Sequence, residues 1–196
     1  MKKKENTLDR REEILKASIE IIHNQGFYKL TIRNIAKKIF ISEAAIYRHF
    51  QSKEEIISEL CQRVFSKNEF WFEDVSKENP KNLLSKILLG QIRGLKEEPF
   101  LSTILFHEEI FREYPNLKKY IRIHRKKNEI TIQNIFIKGQ EEGMFNVIID
   151  PSIFATIYMG SIRMLITKWR QDNFNFKIEE EAKKVLNQLM QFVQLH

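Results

Sequence analysis

The sequence predicts an all-α protein with an N-terminal three-helix helix-turn-helix domain and a larger C-terminal helical domain. Three observations predict it. Apolar residues recur at spacings of three and four along almost the whole chain, the period of a helix with one buried face. Helix-start signals at Pro80, Pro99, Pro115 and Pro151, and stop signals at Gly26 and Gly143, punctuate that pattern. No segment alternates as a strand does, and Asn146 to Ile149 is too short to change the class. The expected division is 1–52 for the first domain, with the helix-turn-helix at about 31–50, and 53–196 for the second.

Ile14, Leu15, Ser18, Ile21 and Ile22 form the first stripe, which Gly26 ends. Thr31 is placed to cap a second helix whose inner face is Ile32, Ile35, Ala36 and Ile39. Ser42 is placed to cap a third, running to about Phe50. Ser52 with Glu55 spells a capping box before Ile56, Ile57, Leu60 and Val64. Four helices therefore occupy roughly residues 7 to 75. The chain loosens around Ser76 to Pro80. Further helices are expected from Pro80 to about Glu97, from Pro99 to about Arg112, and from Asn116 to Glu142. The last two run from Pro151 to about Gln171 and from about Lys177 to Leu195.

The third helix carries the most chemistry. Ile46 and Phe50 lie four apart and share a buried face. Glu43, Ala44, Ala45, Tyr47, Arg48 and His49 then point elsewhere. A short helix with small residues at its start and donors towards its end suits the major groove of DNA. Charge placement agrees. Residues 1–49 hold 11 Lys/Arg against 6 Asp/Glu, whereas residues 50–196 hold 22 against 20. The excess lies with the reading segment, as polyanion binding requires. Lys2-Lys3-Lys4 reads as a solubilising end or as a minor-groove arm.

The patterns Thr31-Ile-x-x-Ile-Ala and Ser42-x-x-x-Ile-Tyr-x-His-Phe-x-Ser-Lys-Glu-Glu-Ile resemble the DNA-binding domain of the TetR family of bacterial transcriptional regulators, over about residues 8–60. The resemblance implies a homodimeric regulator, a repressor of a palindromic operator that a small-molecule effector releases. It implies that Tyr47 and His49 contact phosphates of double-stranded DNA. Lys53 matches the phosphate-binding lysine at the start of the fourth helix, where charge and free amides both attract anions. Thr31 and Arg33 match the groove edge, Glu43, Ala44 and Ala45 lie where base edges are read, and Ser42, the cap, is counted among the DNA-binding residues. Arg48 can reach a guanine or a phosphate. Each role has a plainer rival: a half-buried aromatic for Tyr47, a solvated first turn for Lys53, a packing ring for His49, a helix-dipole partner for Glu43. One residue departs from the family. Phe40 occupies the turn position that usually holds glycine because the backbone there favours positive φ. The run Ser42 to Phe50 is also similar to that of a nucleoid-associated cell-division inhibitor of the same family, a second reading. A helical ligand-binding protein without DNA binding is a third.

The resemblance also implies dimerisation through about 150–171 and 177–195. The first of these segments shows Ile153, Phe154, Ile157, Tyr158, Ile162, Leu165, Ile166 and Trp169, a stripe wide enough for both a core and a partner. An effector, largely apolar, is expected among aromatics of the larger domain. Phe106, Phe111 and Tyr158 are candidate lining residues, and Arg93, His107, His124 and Arg163 are candidates to orient a polar end. Core packing accounts for such aromatics equally well.

Other chemistry lacks its residues. His107-Glu108-Glu109 has no second histidine at zinc-protease spacing, and there is no phosphate-cradling glycine loop and no Gly-x-Ser-x-Gly elbow. No enzyme activity, cofactor or metal is expected. The single cysteine, Cys61, excludes an intrachain disulfide. No apolar run approaches the length of a membrane span, so a cytoplasmic location without membrane association is expected.

Overall fold

Side-chain caps at Thr31, Ser42, Ser52 and Asp150, and left-handed glycines at Gly26 and Gly143, mark several of the helix ends in the described chain. The computed structural model describes residues 2–69, 78–99, 101–105 and 112–194. These form α1 (Lys2–Gln25), a 3-10 turn (Phe27–Lys29), α2 (Ile32–Lys38), α3 (Glu43–Tyr47), α4 (Lys53–Glu69) and α5 (Pro80–Glu97), then α6 (Leu101–Leu105), α7 (Pro115–Glu141), α8 (Pro151–Gln171) and α9 (Ile178–Val193). Among the described residues the only sheet-like pairing is an isolated bridge between Phe145 and Gln194. The class is all-α, as the periodicity predicts.

Two boundaries differ from expectation. No Gly or Pro precedes Gly26, so α1 begins at Lys2, and the three lysines form its first turn rather than a separate arm. Helix α3 is one turn long and ends at Tyr47, short of Phe50. The helix expected from Pro99 to Arg112 is seen at Leu101–Leu105, and residues 106–111 lie outside the described residues.

The chain forms two compact units, residues 1–64 with 98–120, and residues 65–97 with 121–196. They do not coincide with a division at 52/53. The first turns of α4 belong with the reading head because charged side chains fasten α4 to α1. The Arg63 guanidinium donates to both carboxylate oxygens of Glu12, at 2.9 and 2.5 Å. Arg11 donates to Glu55 and Glu59. Beneath them Ile14, Leu15, Ile22, Ile35, Ile46, Phe50, Ile56, Ile57 and Leu60 make a closed core. Cys61 is buried there, and burial pushes its thiol up to about 12. It is an inert packing residue at neutral pH.

In the second unit α9 packs on α5 and α8. Its centre is an aromatic stack. Phe136 lies 4.0 Å from Phe154 and 5.0 Å from Phe145, both near parallel, and Phe154 touches Tyr158 at 6.0 Å. Gly139, one turn after Phe136, lets the Phe145 ring lie directly on the α7 backbone. A Cβ at residue 139 would fall 2.1 Å from the Phe145 ring. That ring is buried and held by Phe136, so it has nowhere to retreat. Gly139→Ala gains about 1 kcal/mol of helix propensity. The overlap opposes it with about 1–3 kcal/mol for a forced core rearrangement, towards the upper end for so short an approach to a buried ring. We therefore expect Gly139→Ala to lower the thermal midpoint, measured by circular dichroism; an unchanged or raised midpoint would show that the ring has room to move.

Candidate nucleic-acid interface

Two hydroxyl caps build the helix-turn-helix. Thr31 Oγ1 accepts from the Asn34 amide at 3.1 Å, and Ser42 Oγ accepts from the Ala45 amide at 3.1 Å. In both cases the oxygen is used as an acceptor, so the O–H stays available as a donor. Ser52 Oγ caps α4 in the same way, accepting from the Glu55 amide at 3.2 Å. The return arm of the expected capping box goes elsewhere: the Glu55 carboxylate accepts from the Gln51 amide at 2.6 Å.

Between α2 and α3 the turn is a Schellman motif with Phe40 in its left-handed position. The Ile41 amide donates to the Ala36 carbonyl at 3.0 Å, the Phe40 amide donates to Lys37 at 3.4 Å, and Phe40 has φ 56°. The same hydrogen-bond pattern ends α7 at Gly143 (φ 69°) and α8 at Asn173 (φ 49°). Glycine and asparagine are the residues that tolerate this conformation; phenylalanine is not. The turn is therefore not reshaped to suit Phe40. Packing does not compensate either, since the side chain is 94% exposed.

On this frame Ile46 and Phe50 are fully buried and fix the rotation of α3. Glu43, Ala44 and Arg48 are exposed, Tyr47 is 53% exposed, and Ala45 and His49 are partly covered. Thr31 and Arg33 are exposed at the start of α2. The end of α3 is held by Arg11, a residue that periodicity alone leaves among the surface charges of α1. Its guanidinium donates to the His49 carbonyl as well as to Glu55 and Glu59, and lies 4.0 Å from the Phe50 ring centre. His49 Nδ1 is buried and has no hydrogen-bond partner among the described residues. Burial, and then the charges of Arg10, Arg11 and Arg48, hold its imidazole below the usual range.

Lys53, the first residue of α4, does not extend freely into solvent. Its ammonium is 3.3 Å from a Glu113 carboxylate oxygen, 5.1 Å from the Phe27 ring centre and 5.6 Å from that of Tyr114. A second basic surface escapes a tally by halves of the chain. Residues 118–127 hold six Lys/Arg and no acid. Lys118, Lys119, Arg122, Arg125, Lys126 and Lys127 are all exposed on α7.

The expected effector residues disperse. Arg93 is exposed on α5, Arg163 is exposed on α8, and His124 is partly covered on α7. Tyr158 is buried in the core and its hydroxyl donates to the Leu84 carbonyl at 2.6 Å, so its polar end is used within the helix pack. Phe106, His107 and Phe111 lie outside the described residues. A groove of about 720 Å³ opens instead on the outer face of α8 and α9, lined by Ile157, Gly160, Met164, Lys168, Phe176 and Val185 among others. Among the described residues no group of His, Cys, Asp or Glu is arranged to hold a metal, and no helix is long and apolar enough to cross a membrane.

Residues 14–60 match the family described as bacterial regulatory proteins, tetR family. The chain is 26% identical over 190 residues to the uncharacterized HTH-type transcriptional regulator YerO of Bacillus subtilis, covering 95% of this chain and 65% of that protein. It is 26% identical to the nucleoid occlusion factor SlmA of Vibrio cholerae, covering 86% and 88%. Among solved structures it is similar to the ketosteroid transcriptional regulator KstR2 of Mycobacterium tuberculosis, with TM-score 0.81, 18% identity and coverage of 95% and 96%. It is also similar to AibR, solved in complex with isovaleryl coenzyme A and operator DNA, with TM-score 0.77, 20% identity and coverage of 92% and 98%.

Two measurements check this geometry. Phe40→Gly removes a left-handed strain and loses no packing, so we expect a gain of about 1 kcal/mol in unfolding free energy; a loss on urea denaturation would mean that the exposed ring stabilises the free protein. His49 gives a pH dependence with a defined sign. Its folded pKa is depressed, so the unfolded chain takes up a proton first, and stability rises with pH where the unfolded state binds more protons. The contribution is fully present above about pH 6.5, and is lost as pH falls from there through the folded value. His49→Gln should flatten that part of the stability profile between pH 7.5 and 5, and an unaltered slope would show that the ring titrates normally.

Proposed function

We propose that this chain, whose residues 14–60 match the tetR family of bacterial regulatory proteins, is a homodimeric transcriptional repressor that binds a palindromic operator and is released by a small, largely apolar effector. The observation that carries the reading is the presentation of α3. Its two apolar side chains are sunk in the core, while Glu43, Ala44, Tyr47 and Arg48 face outwards at the end of a braced frame. That is what a helix needs in order to enter a major groove at a fixed angle.

Roles follow from chemistry. Thr31, Ser42 and Tyr47 offer hydroxyl donors to phosphates, and Arg33 and Lys53 offer charge. His49 is neutral at pH 7, so it offers a hydrogen bond rather than a charge. Glu43, Ala44 and Ala45 face base edges, where alanine methyls fit thymine methyls and a carboxylate accepts from cytosine. Arg48 reaches a guanine or a phosphate. Lys118 and Lys119, exposed in the same unit as the reading head, add to the positive field that draws in a polyanion.

One α3 helix reads few bases, and a two-fold dimer doubles the site. The face of α8 that bears Ile153, Ile157, Gly160 and Met164 is exposed in the single chain although largely apolar. Together with α9, where Phe192 is 77% exposed, it is the surface we assign to a second copy. The effector preference rests on the apolar, aromatic larger unit; in AibR the small molecule bound alongside operator DNA is an acyl thioester. The protein would act in the cytoplasm, beside the chromosome.

A second reading has its own support in the similarity to the nucleoid occlusion factor SlmA: this chain would then be a nucleoid-associated cell-division inhibitor, for which many chromosomal sites are expected. Mapping of chromosomal occupancy separates the two. One or a few promoters support the repressor, and many dispersed sites without transcriptional change support the other.

The central test is operator affinity at several salt concentrations, on a duplex selected from genomic fragments. Lys53→Ala should weaken binding and reduce the slope of log affinity against log salt by about one unit, and an unchanged slope would remove Lys53 from the contacts. Ile157→Glu should give a monomer by sedimentation with operator binding lost. A dimer that still binds would move the pairing surface elsewhere.

A further inference from the structure

We propose that Glu113 is an internal competitor of the operator for Lys53: in the free protein it holds the ammonium that a DNA phosphate must take over, and so sets operator affinity. This rests on the reading of Lys53 as a phosphate contact.

Three groups converge on one ammonium within the first unit. The Glu113 carboxylate lies 3.3 Å from Lys53 Nζ. The rings of Phe27 and Tyr114 lie 5.1 and 5.6 Å away, within the range of a cation–π attraction. The two rings also meet edge to face, with centres 6.5 Å apart and planes at 84°. Phe27 is 2% exposed and cannot follow a moving side chain, so it fixes the floor of the site. Tyr114 stands between Glu113 and Pro115, where α7 begins. The clamp therefore joins the 3-10 turn after α1, the start of α4 and the corner before α7.

The two states of Lys53 exclude one another. An ammonium is a compact charge on a flexible four-carbon stem, so it can swing from carboxylate to phosphate. It cannot serve both fully. The Glu113 side chain is 51% exposed, so when the phosphate takes the ammonium, the carboxylate is left beside a polyanion. Lost pairing and like-charge repulsion then act in the same direction, against binding. The aromatic rings act differently: they hold the stem and ammonium near the α4 terminus in either state. Because Glu113 lies at the corner before α7, a shift of that corner alters the competition without touching the DNA-facing residues. A corner held close to α4 favours the free protein, and a corner drawn away releases Lys53.

The test measures affinity for the selected duplex, as a function of salt, for the wild type, Glu113→Gln, Lys53→Met and the double variant, each checked for an unchanged melting temperature. A partly exposed ion pair suggests a two- to fivefold effect, roughly. Glu113→Gln should therefore tighten binding by that factor in the wild-type background and by clearly less in the Lys53→Met background, where only the repulsion between carboxylate and phosphate is left to relieve. Glu113→Asp, with a shorter reach, should fall between wild type and Gln. Equal tightening in both backgrounds would overturn the proposal, because Glu113 would then act only as a nearby negative charge. No tightening in either, while Lys53→Met still reduces the salt slope, would overturn it and leave the phosphate contact standing. If Lys53→Met leaves the slope unaltered, the contact itself fails and the competition with it.

Discussion

The guanidinium of Arg11 is the constraint on which the reading surface depends. It meets the end of α3, the first turns of α4 and the face of Phe50 from a single position on α1. A planar group with five donors in a fixed fork is suited to this, and a lysine could not reach the same set. The His49 carbonyl has no partner of its own at the end of so short a helix, and a buried carbonyl without one costs free energy. Arg11 satisfies it. The charges on Glu55 and Glu59 in turn neutralise the arginine in its half-covered site. Arg63 and Glu12 repeat the arrangement further along α1 and α4. A five-residue helix is far below the length that is stable alone. The angle of α3 is thus set by what surrounds it, chiefly the buried pair Ile46 and Phe50 and this charged bracket.

The bracket also explains the electrostatics of the surface. Arginines crowd the end of α3, and their positive field acts on His49 in the same sense as its burial. The imidazole is therefore disfavoured in its charged form, and His49 contributes to the surface as a hydrogen-bonding ring rather than as a cation. Hydroxyls follow the same economy. Thr31 and Ser42 use an oxygen lone pair inside the fold and keep the O–H, so one side chain serves helix stability and an outward contact together.

Much of this was legible in the sequence because it is periodic or local. Helices, caps, proline starts and the glycine stop at Gly143 depend on residues within a turn or two of each other, and they came out within a few residues of the structure. The buried pair of α3 could be read from its four-residue spacing. What could not be read is non-local. Arg11 is 38 residues from the carbonyl it holds, and Glu113 is 60 residues from Lys53. No spacing rule connects them. Aromatic residues failed for another reason. Tyr158 fits a pocket and a core equally well by composition, and only its hydrogen bond to Leu84 decides between them. Charge was misjudged by averaging: the acids elsewhere in the second half conceal the ten basic-rich residues 118–127.

Phe40 shows how such surroundings can override a local preference. At Gly143 and Asn173 the residue type and the left-handed conformation agree, so the stop is written in the sequence. At Phe40 they disagree, yet the same pair of amide bonds forms. The explanation lies on both sides of the turn. Ile35 and Ala36 are buried before it and Ile46 after it, so the two helices are each anchored to the core and the chain between them has few residues in which to reverse. Relaxing φ at residue 40 would lift one of those anchors out of the core. Exposing a buried isoleucine costs about 1.5–3 kcal/mol, against about 1–2 kcal/mol for a left-handed residue with a side chain. The strain is the smaller cost, so the turn keeps its shape and the aromatic ring is left in solvent beside the reading helix.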